Sequence, residues 1–438
     1  MKIAVINSRL DPAGCAIRGR LLELLDNPGG HPCRHGGDTL VFLETDGRLI
    51  YEEGLDARAD ADLILFISRH TSIQALPALT VHVTGNIGSA EYGGAPRTLA
   101  RAAPAWMHAL LRECAARAPA GYRVSYEVTH HGPSDIETPS LFVEIGSTEK
   151  EWRDPAAADA VAQAILAARP SATITLVGFG GNHYAARQTA IALASRGAFG
   201  HIAHSRQADD LDEEMVAGMA RKSDAVAAYI DKKSVPKATV RRLEALCGDL
   251  GLPLLSESDI LGLQDLSWEG YRALAACAGA AAPGSRLHPH ALAGTGTAAS
   301  FEIGADLLEE ALKTDKDRFM ADIAALPVAH LTSEEGVMLP VFCTFARYQP
   351  QINHDLITSC VKIIIRNETT AVEGDCLVIR RIRFDPRRAR TAGVPAGPLF
   401  GRLAEGESVT VGGVTITPAM VSICSERIIR VPGLERYV

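Results

Sequence analysis

The sequence predicts an α/β protein with a mixed, largely parallel sheet flanked by helices, followed by a smaller α+β domain. Three observations lead there. Strand-length apolar runs alternate with helix-spaced segments through most of the chain. A stretch of small residues, glycine and proline, AGAAAPGSRLHPHALAGTGTAAS at 278–300, then breaks that rhythm. Beyond it the order of elements is less regular and arginine becomes more frequent.

The first element, Lys2 to Ile6, is a short apolar run of the kind that forms a buried strand. TLVFLETDGRLIYEE at 39–53 alternates about Asp46-Gly47 and predicts a hairpin. Leu63–Ile67 and Leu79–Val83 are further apolar strands, and 97–118 has helical spacing that makes Trp106 a core residue. Tyr122–Val128 and Leu141–Ile145 are strand-like, and Thr148 with Glu151 has the spacing of a capping box. A helix at Ala156–Ala168, a strand at Thr173–Val177 and a helix at Tyr184–Ser195 follow. A strand at Ala225–Ile230 and a helix at 237–248 close the series. The linker is placed at 283–300, separating domains 1–282 and 301–438. The second holds a helix at 304–325, strands at 361–365 and 376–383, and a hairpin in GESVTVGGVTITP at 406–418.

At 438 residues, 47% hydrophobic and 22% charged, the chain has the composition of a globular protein large enough for two cores. No apolar run reaches the ~18 residues of a membrane span, and MKIAVINSRL lacks the regions of a signal peptide. A cytoplasmic protein is expected. The nine cysteines form no C-x-x-C pair, which gives no support to a disulfide scaffold or a thiolate zinc site. A net charge of −8 argues against binding nucleic acid by bulk attraction. Between 380 and 402, however, seven arginines face one acid, Asp385.

The chemistry is concentrated in THHGPSDIETPSLFVEIGSTEKEW at 129–152, GFGGNHYAARQTAIAL at 178–193 and FGHIAHS at 199–205. They place His130, His131, His183, His201, His204 and Glu144 near predicted strand ends, beside glycines that permit close approach. SRHTS at 68–72 adds Arg69 and His70, and VHVTGNIGSAEYGG at 81–94 adds His82 and Asn86. Any one of these histidines, taken singly, is better explained as a residue satisfied by a hydrogen bond than as a ligand; their accumulation favours a site. Three or so imidazole or carboxylate ligands make a catalytic zinc centre, in which bound water ionises near pH ~7 and an ester carbonyl is polarised. No HExxH motif is present, no G-x-S-x-G elbow supports a serine hydrolase, and GFGG lacks the remainder of a nucleotide-binding loop.

SRHTS with LTVHVTGN, THHGPSDIETPSLFVEIGSTEKEW, and GFGGNHYAARQTAIAL with FGHIAHS resemble the archaeal and plant type of D-aminoacyl-tRNA deacylase, over about residues 1–280 and in that family's order. The resemblance implies an α/β core similar to peptidyl-tRNA hydrolase and phosphorylase-type hydrolases. It also implies one or two zinc ions and cleavage of the ester between tRNA and a D-amino acid such as D-tyrosine. Carried over by motif, catalysis falls among His70, His130, His131, Glu144 and His183, and metal ligation among His130, His131, Glu144, His183, His201 and His204. Substrate binding falls on Arg69, His82, Asn86, Gly180, Gly181, Asn182 and Tyr184, with the Gly180 and Gly181 turn and the following helix start receiving the acceptor end. Which imidazoles are ligands stays open. The family's compact members end near residue 280; in the remainder, 383–418 is similar to a segment of ribonuclease Z, without the H-x-H-x-D-H zinc signature. Residues 301–438 are therefore expected to contact tRNA through Arg380, Arg381, Arg383, Arg387 and Arg388, or only to pack against the first domain. The expected partner is D-aminoacyl-tRNA, with neither DNA nor membrane, and the chain is expected to be a monomer. A small-molecule hydrolase or phosphorylase of nucleosidase or amidohydrolase type, and a tRNA-binding protein without catalysis, are the alternatives.

Overall fold

The computed structural model describes residues 1–72 and 75–438. The chain divides into two compact units, Met1–Gln264 and Asp265–Val438.

In the first unit the strands are β1 (Lys2–Ser8), β2 (Cys33–His35), β3 (Asp38–Thr45), β4 (Leu63–Arg69), β5 (Ala78–His82), β6 (Gly85–Asn86), β7 (Thr98–Leu99), β8 (Arg123–Tyr126) and β9 (Ser140–Gly146). Seven of them form one mixed sheet in the order β2-β3-β1-β4-β9-β5-β8. The pairs β3–β1, β1–β4, β4–β9 and β5–β8 are parallel, whereas β5 runs antiparallel to β9. A second sheet holds β10 (Ile174–Phe179), β11 (Gly197–Ala203) and β12 (Ala227–Ile230), all parallel, in the order β11-β10-β12. The strands β1, β4 and β9 are apolar almost throughout because helices cover the sheet; Pro12–Leu24 packs on β4 and on the helix Pro155–Ala167. Phe66 and Phe142 stack at 4.5 Å between ring centroids within that core.

The expected hairpin about Asp46-Gly47 does not form. Strand β3 already has β2 on one edge and β1 on the other, so a returning strand has no backbone to pair with. Residues Leu49–Tyr51 form a 3-10 turn instead, and Leu49 is buried. The capping box of Thr148 and Glu151 is present at the helix Glu149–Trp152.

In the second unit β13 (Arg286–Pro289), β14 (Ala298–Glu302), β15 (Ala329–Thr332) and β16 (Met338–Phe345) form an antiparallel sheet in the order β13-β15-β16-β14. Two of these strands thus lie wholly or partly in the stretch expected as a linker. The helix Trp268–Ala281 belongs to this unit because it packs on β14 and β16, which moves the division to 264/265. The apolar run at 361–365 is not a strand but part of the helix Gln349–Asn367. Leu356, Cys360, Val361, Ile363 and Ile364 are buried at helical spacing against the core formed with Phe319 and Phe342. Strands β17 (Thr369–Glu373), β18 (Cys376–Phe384), β19 (Val409–Val411), β20 (Val414–Ile416) and β21 (Ser422–Arg430) complete the chain; β19 and β20 form the expected hairpin around Gly412-Gly413.

Candidate active site

The site grows from the register of the seven-stranded sheet. Directly paired residues project to the same face, so Ser68 of β4, Glu144 of β9 and Thr80 of β5, which lie side by side, share one face. His82, two residues beyond Thr80, shares it, and Glu127 joins by extending β8 one step past the Val81–Tyr126 pair. The Glu127 amide donates to the Val81 carbonyl at 3.2 Å. The chain then leaves the sheet: the amides of Val128 and Thr129 donate to the carbonyls of His183 and Ile202, bringing His130 and His131 over that face and the loop after β10 beside them.

Glu127 is at the centre. Its side chain is fully buried, with Oε1 3.0 Å from His70 Nδ1 and Oε2 3.2 Å from His183 Nε2, 3.6 Å from His130 Nε2 and 4.0 Å from His82 Nδ1. Neither oxygen, nor His82 Nδ1, has a hydrogen bond of good geometry. Burial opposes the charge of Glu127, but the imidazoles of His70, His82 and His183 hold its carboxyl well below the usual carboxylate range. Burial likewise opposes a charge on His70, yet Glu127 and Glu144 outweigh it and push its pKa up to about 11. Burial, reinforced by neighbouring imidazoles, pushes His82 far down and His130 to about 3.

Two tautomers are fixed by the backbone. His130 Nδ1 faces the Val128 carbonyl at 2.7 Å and His131 Nδ1 faces the Gly132 carbonyl at 2.6 Å; carbonyls only accept, so each Nδ1 carries the proton. The Nε2 lone pairs are thereby turned inward, the second-layer arrangement that orients a metal-binding imidazole. His82 Nε2 and His131 Nε2 are 3.0 Å apart. Among the described residues three groups have ligand atoms within 4.8 Å of one another: His82, His130 and His131; His70, Glu127 and His183; and His82, Glu127 and Glu144. The set is of nitrogen and carboxylate donors, and its orphaned polar atoms are those a cation would satisfy, so it fits zinc.

A cavity of about 1150 Å³ opens over this cluster. Its wall includes His70, His130, His131, Glu144, Asn182, His183 and Tyr184 together with Arg69 and Trp152. Tyr184 Oη lies 3.2 Å from His70 Nε2, Ser68 Oγ donates to Glu144 at 2.5 Å, and Trp152 Nε1 donates to the His70 carbonyl at 2.9 Å.

Other expected residues sit elsewhere. His201 has both ring nitrogens engaged, with Thr129 Oγ1 at 3.0 Å and the Ala100 carbonyl at 2.9 Å, and burial pushes its pKa down to about 4; nothing remains for a metal. His204 lines the cavity but accepts the Arg206 amide on Nδ1 and belongs to none of the three groups. Asn86 is buried and donates to the carbonyls of Gly93 and Ala95. Gly180 and Gly181, at φ +89 and +102, make the turn that only glycine adopts easily, but their amides donate to the Ala203 carbonyl and Ser234 Oγ, so they are not offered to a ligand.

In the C-terminal unit Arg381 is held by Glu310 and Glu368, and Arg380 by Glu426. Arg388 donates to the Ser422 carbonyl. Arg383 and Arg387 are exposed. Glu127 was not singled out from the sequence; the available signal was a carboxylate closing a strand three residues before a histidine pair.

The sequence profile of the D-aminoacyl-tRNA deacylase family matches residues 57–255. A D-aminoacyl-tRNA deacylase of Methanoregula boonei is 52% identical and one of Methanoculleus marisnigri 51% identical, each alignment covering all of both chains. The crystal structure of a conserved protein of unknown function, AF0625, superposes with a TM-score of 0.55 at 34% identity, covering 60% of this chain and 96% of that one. With full-length identity at that level, the chain belongs to the D-aminoacyl-tRNA deacylase family.

Proposed function

We propose that the histidine cavity of the first unit hydrolyses the ester joining a D-amino acid, D-tyrosine among them, to the 3′ end of tRNA, and that zinc assists. The observation that carries this is Glu127, a buried carboxylate with both oxygens unsatisfied that faces His70, His130 and His183 in the wall of a cavity large enough for an aminoacylated nucleotide. His70, Glu127 and His183 would hold one ion, and His82, His130 and His131 a second. Zinc bound there supplies an ionised water and polarises the ester carbonyl.

The chain's own groups supply the rest. In the neutral tautomer that the Val128 and Gly132 carbonyls select, Nε2 of His130 and of His131 carries the lone pair. His70 is steadied by Trp152 through its backbone carbonyl and by Tyr184 through its ring, and Glu144 presents a carboxylate beside it, Oε2 lying 3.7 Å from Nδ1. A cytoplasmic enzyme acting where charged tRNA is used is the compartment consistent with this substrate, and no helix among the described residues is long and apolar enough to cross a membrane. The tRNA contact expected of the C-terminal unit is left to Arg383 and Arg387.

The test is to incubate the protein with D- and L-tyrosyl-tRNA, with and without a chelator. Stereoselective, chelator-sensitive release of D-tyrosine is expected. Retention of both esters would leave a binding protein, and release that ignores the chelator would remove zinc from the reading.

A further inference from the structure

The cavity wall carries three arginines from three separate segments: Arg48 after β3, Arg69 at the end of β4, and Arg206 in the 3-10 turn Ser205–Asp210. We propose that these three receive the phosphodiesters of the substrate's acceptor strand, and so seat the ester over the imidazole cluster. The inference rests on the deacylase reading of the same cavity.

Several arginines of the chain meet carboxylates, as Arg97 meets Asp212 at 2.6 Å and Arg427 meets Glu309 at 2.9 Å; what sets Arg48, Arg69 and Arg206 apart is that three guanidinium groups line one cavity. Among the described residues no carboxylate oxygen lies within 4.0 Å of the guanidinium of Arg48, Arg69 or Arg206; Arg48 lies over the Tyr51 ring at 5.5 Å and Arg69 over the Trp152 ring at 5.0 Å. In a protein of net charge −8, three such guanidinium groups around one opening mark a place for an anion. The wall also holds two carboxylates, Glu144, which accepts from Ser68, and Glu91, which accepts from Ser89, so its arginines outnumber its carboxylates.

Size and rigidity indicate which anion. A volume of about 1150 Å³ exceeds the ~300–1,000 Å³ of ordinary small-ligand sites, so an aminoacyl group alone leaves most of it for nucleotides. Planar guanidinium forks match phosphate oxygens in pairs. Arg69 is also held on an aromatic ring whose Nε1 is tied to the His70 carbonyl, so a phosphate bound there has a fixed relation to the reacting centre.

The experiment measures binding of uncharged tRNA and KM for D-tyrosyl-tRNA across a salt series. It compares the wild type, Arg48→Gln/Arg206→Gln, Arg48→Lys/Arg206→Lys and, in the other unit, Arg383→Gln/Arg387→Gln. Each phosphate contact to a single strand contributes about 0.7 to the slope of log K against log salt. The Gln pair at the cavity should therefore flatten the slope by about 1.4 and raise KM more than it lowers kcat, with the Lys pair restoring the slope. A wild-type slope in Arg48→Gln/Arg206→Gln overturns the proposal. A wild type that binds tRNA but releases neither ester overturns the deacylase reading, and the seat is judged separately because the salt slope is read without turnover.

Discussion

Oε1 of Glu127 lies 3.0 Å from Nδ1 of His70, and its other oxygen faces His183, His130 and His82. One carboxylate thus joins imidazoles delivered by β4, β5, the segment after β8 and the loop after β10. A Glu127→Gln substitution keeps the shape and removes the charge that organises them. Release of D-tyrosine from its tRNA should fall at least ~10–100-fold, the range seen when a metal ligand or its support is altered. Wild-type single-turnover rates in a folded variant would exclude Glu127 from the mechanism.

Zinc should be measurable in the untreated protein and removable by a chelator. Its return should restore release of D-tyrosine and raise the thermal midpoint, because a ligand that binds only the folded state stabilises it. His82→Ala should lower the bound zinc even though His82 does not line the cavity. Full metal content in His82→Ala would show that the His82, His130 and His131 group holds no ion.

His183→Ala and His201→Ala should separate chemistry from structure. His183 faces the cavity and Glu127, so its loss should abolish release with little change in stability. His201 is buried with two hydrogen bonds, so its loss should lower stability by about 2–4 kcal/mol through unpaired polar groups and a cavity, with kcat retained in the folded fraction. The reverse pattern, measured by denaturation and initial rates, would exchange their roles.

Acid should weaken the C-terminal unit through His330. Its ring stacks between those of His288 and His290 at centroid distances of 4.6 and 5.0 Å, and burial pushes its pKa from 6.5 down to about 3. Above pH 6.5 folded and unfolded forms are both neutral there and the stabilisation is complete. As pH falls from 6.5 towards 3, the unfolded chain takes up a proton that the folded chain refuses. Stability is then lost at up to about 1.4 kcal/mol per pH unit. Denaturation midpoints should fall from neutral to mildly acid pH, and His330→Phe should show a shallower slope. An unchanged slope would assign the acid sensitivity to other groups.

Much of the N-terminal fold is legible in the sequence because each signal there is local. The strand Lys2–Ser8 carries an unbroken apolar run, Ile3–Ile6, and Thr148 with Glu151 is a capping box whose partners are three residues apart. The β19–β20 hairpin is announced by Gly412-Gly413. The misreadings share a cause. VKIII at 361–365 has the length of a strand, and only its packing against Phe319 and Phe342 as part of a longer helix decides otherwise. The strand expected after Asp46-Gly47 fails because β3 already has a neighbour on each edge, a matter of sheet order.

By itself the sequence determined that this is an α/β protein carrying an unusual concentration of histidines in a few segments, since composition, periodicity and motif are properties of neighbouring residues. Only the tertiary structure decided that β5 and β8 run against β9, which sets His82 and Glu127 on the same sheet face as Glu144. It also decided that His201 and the glycine amides are already satisfied, and that Arg380 and Arg381 are paired with carboxylates while Arg48, Arg69 and Arg206 line the cavity. The physical reason is that ligation, neutralisation and hydrogen bonding depend on groups far apart in the chain, and no local pattern records which partner a side chain has found.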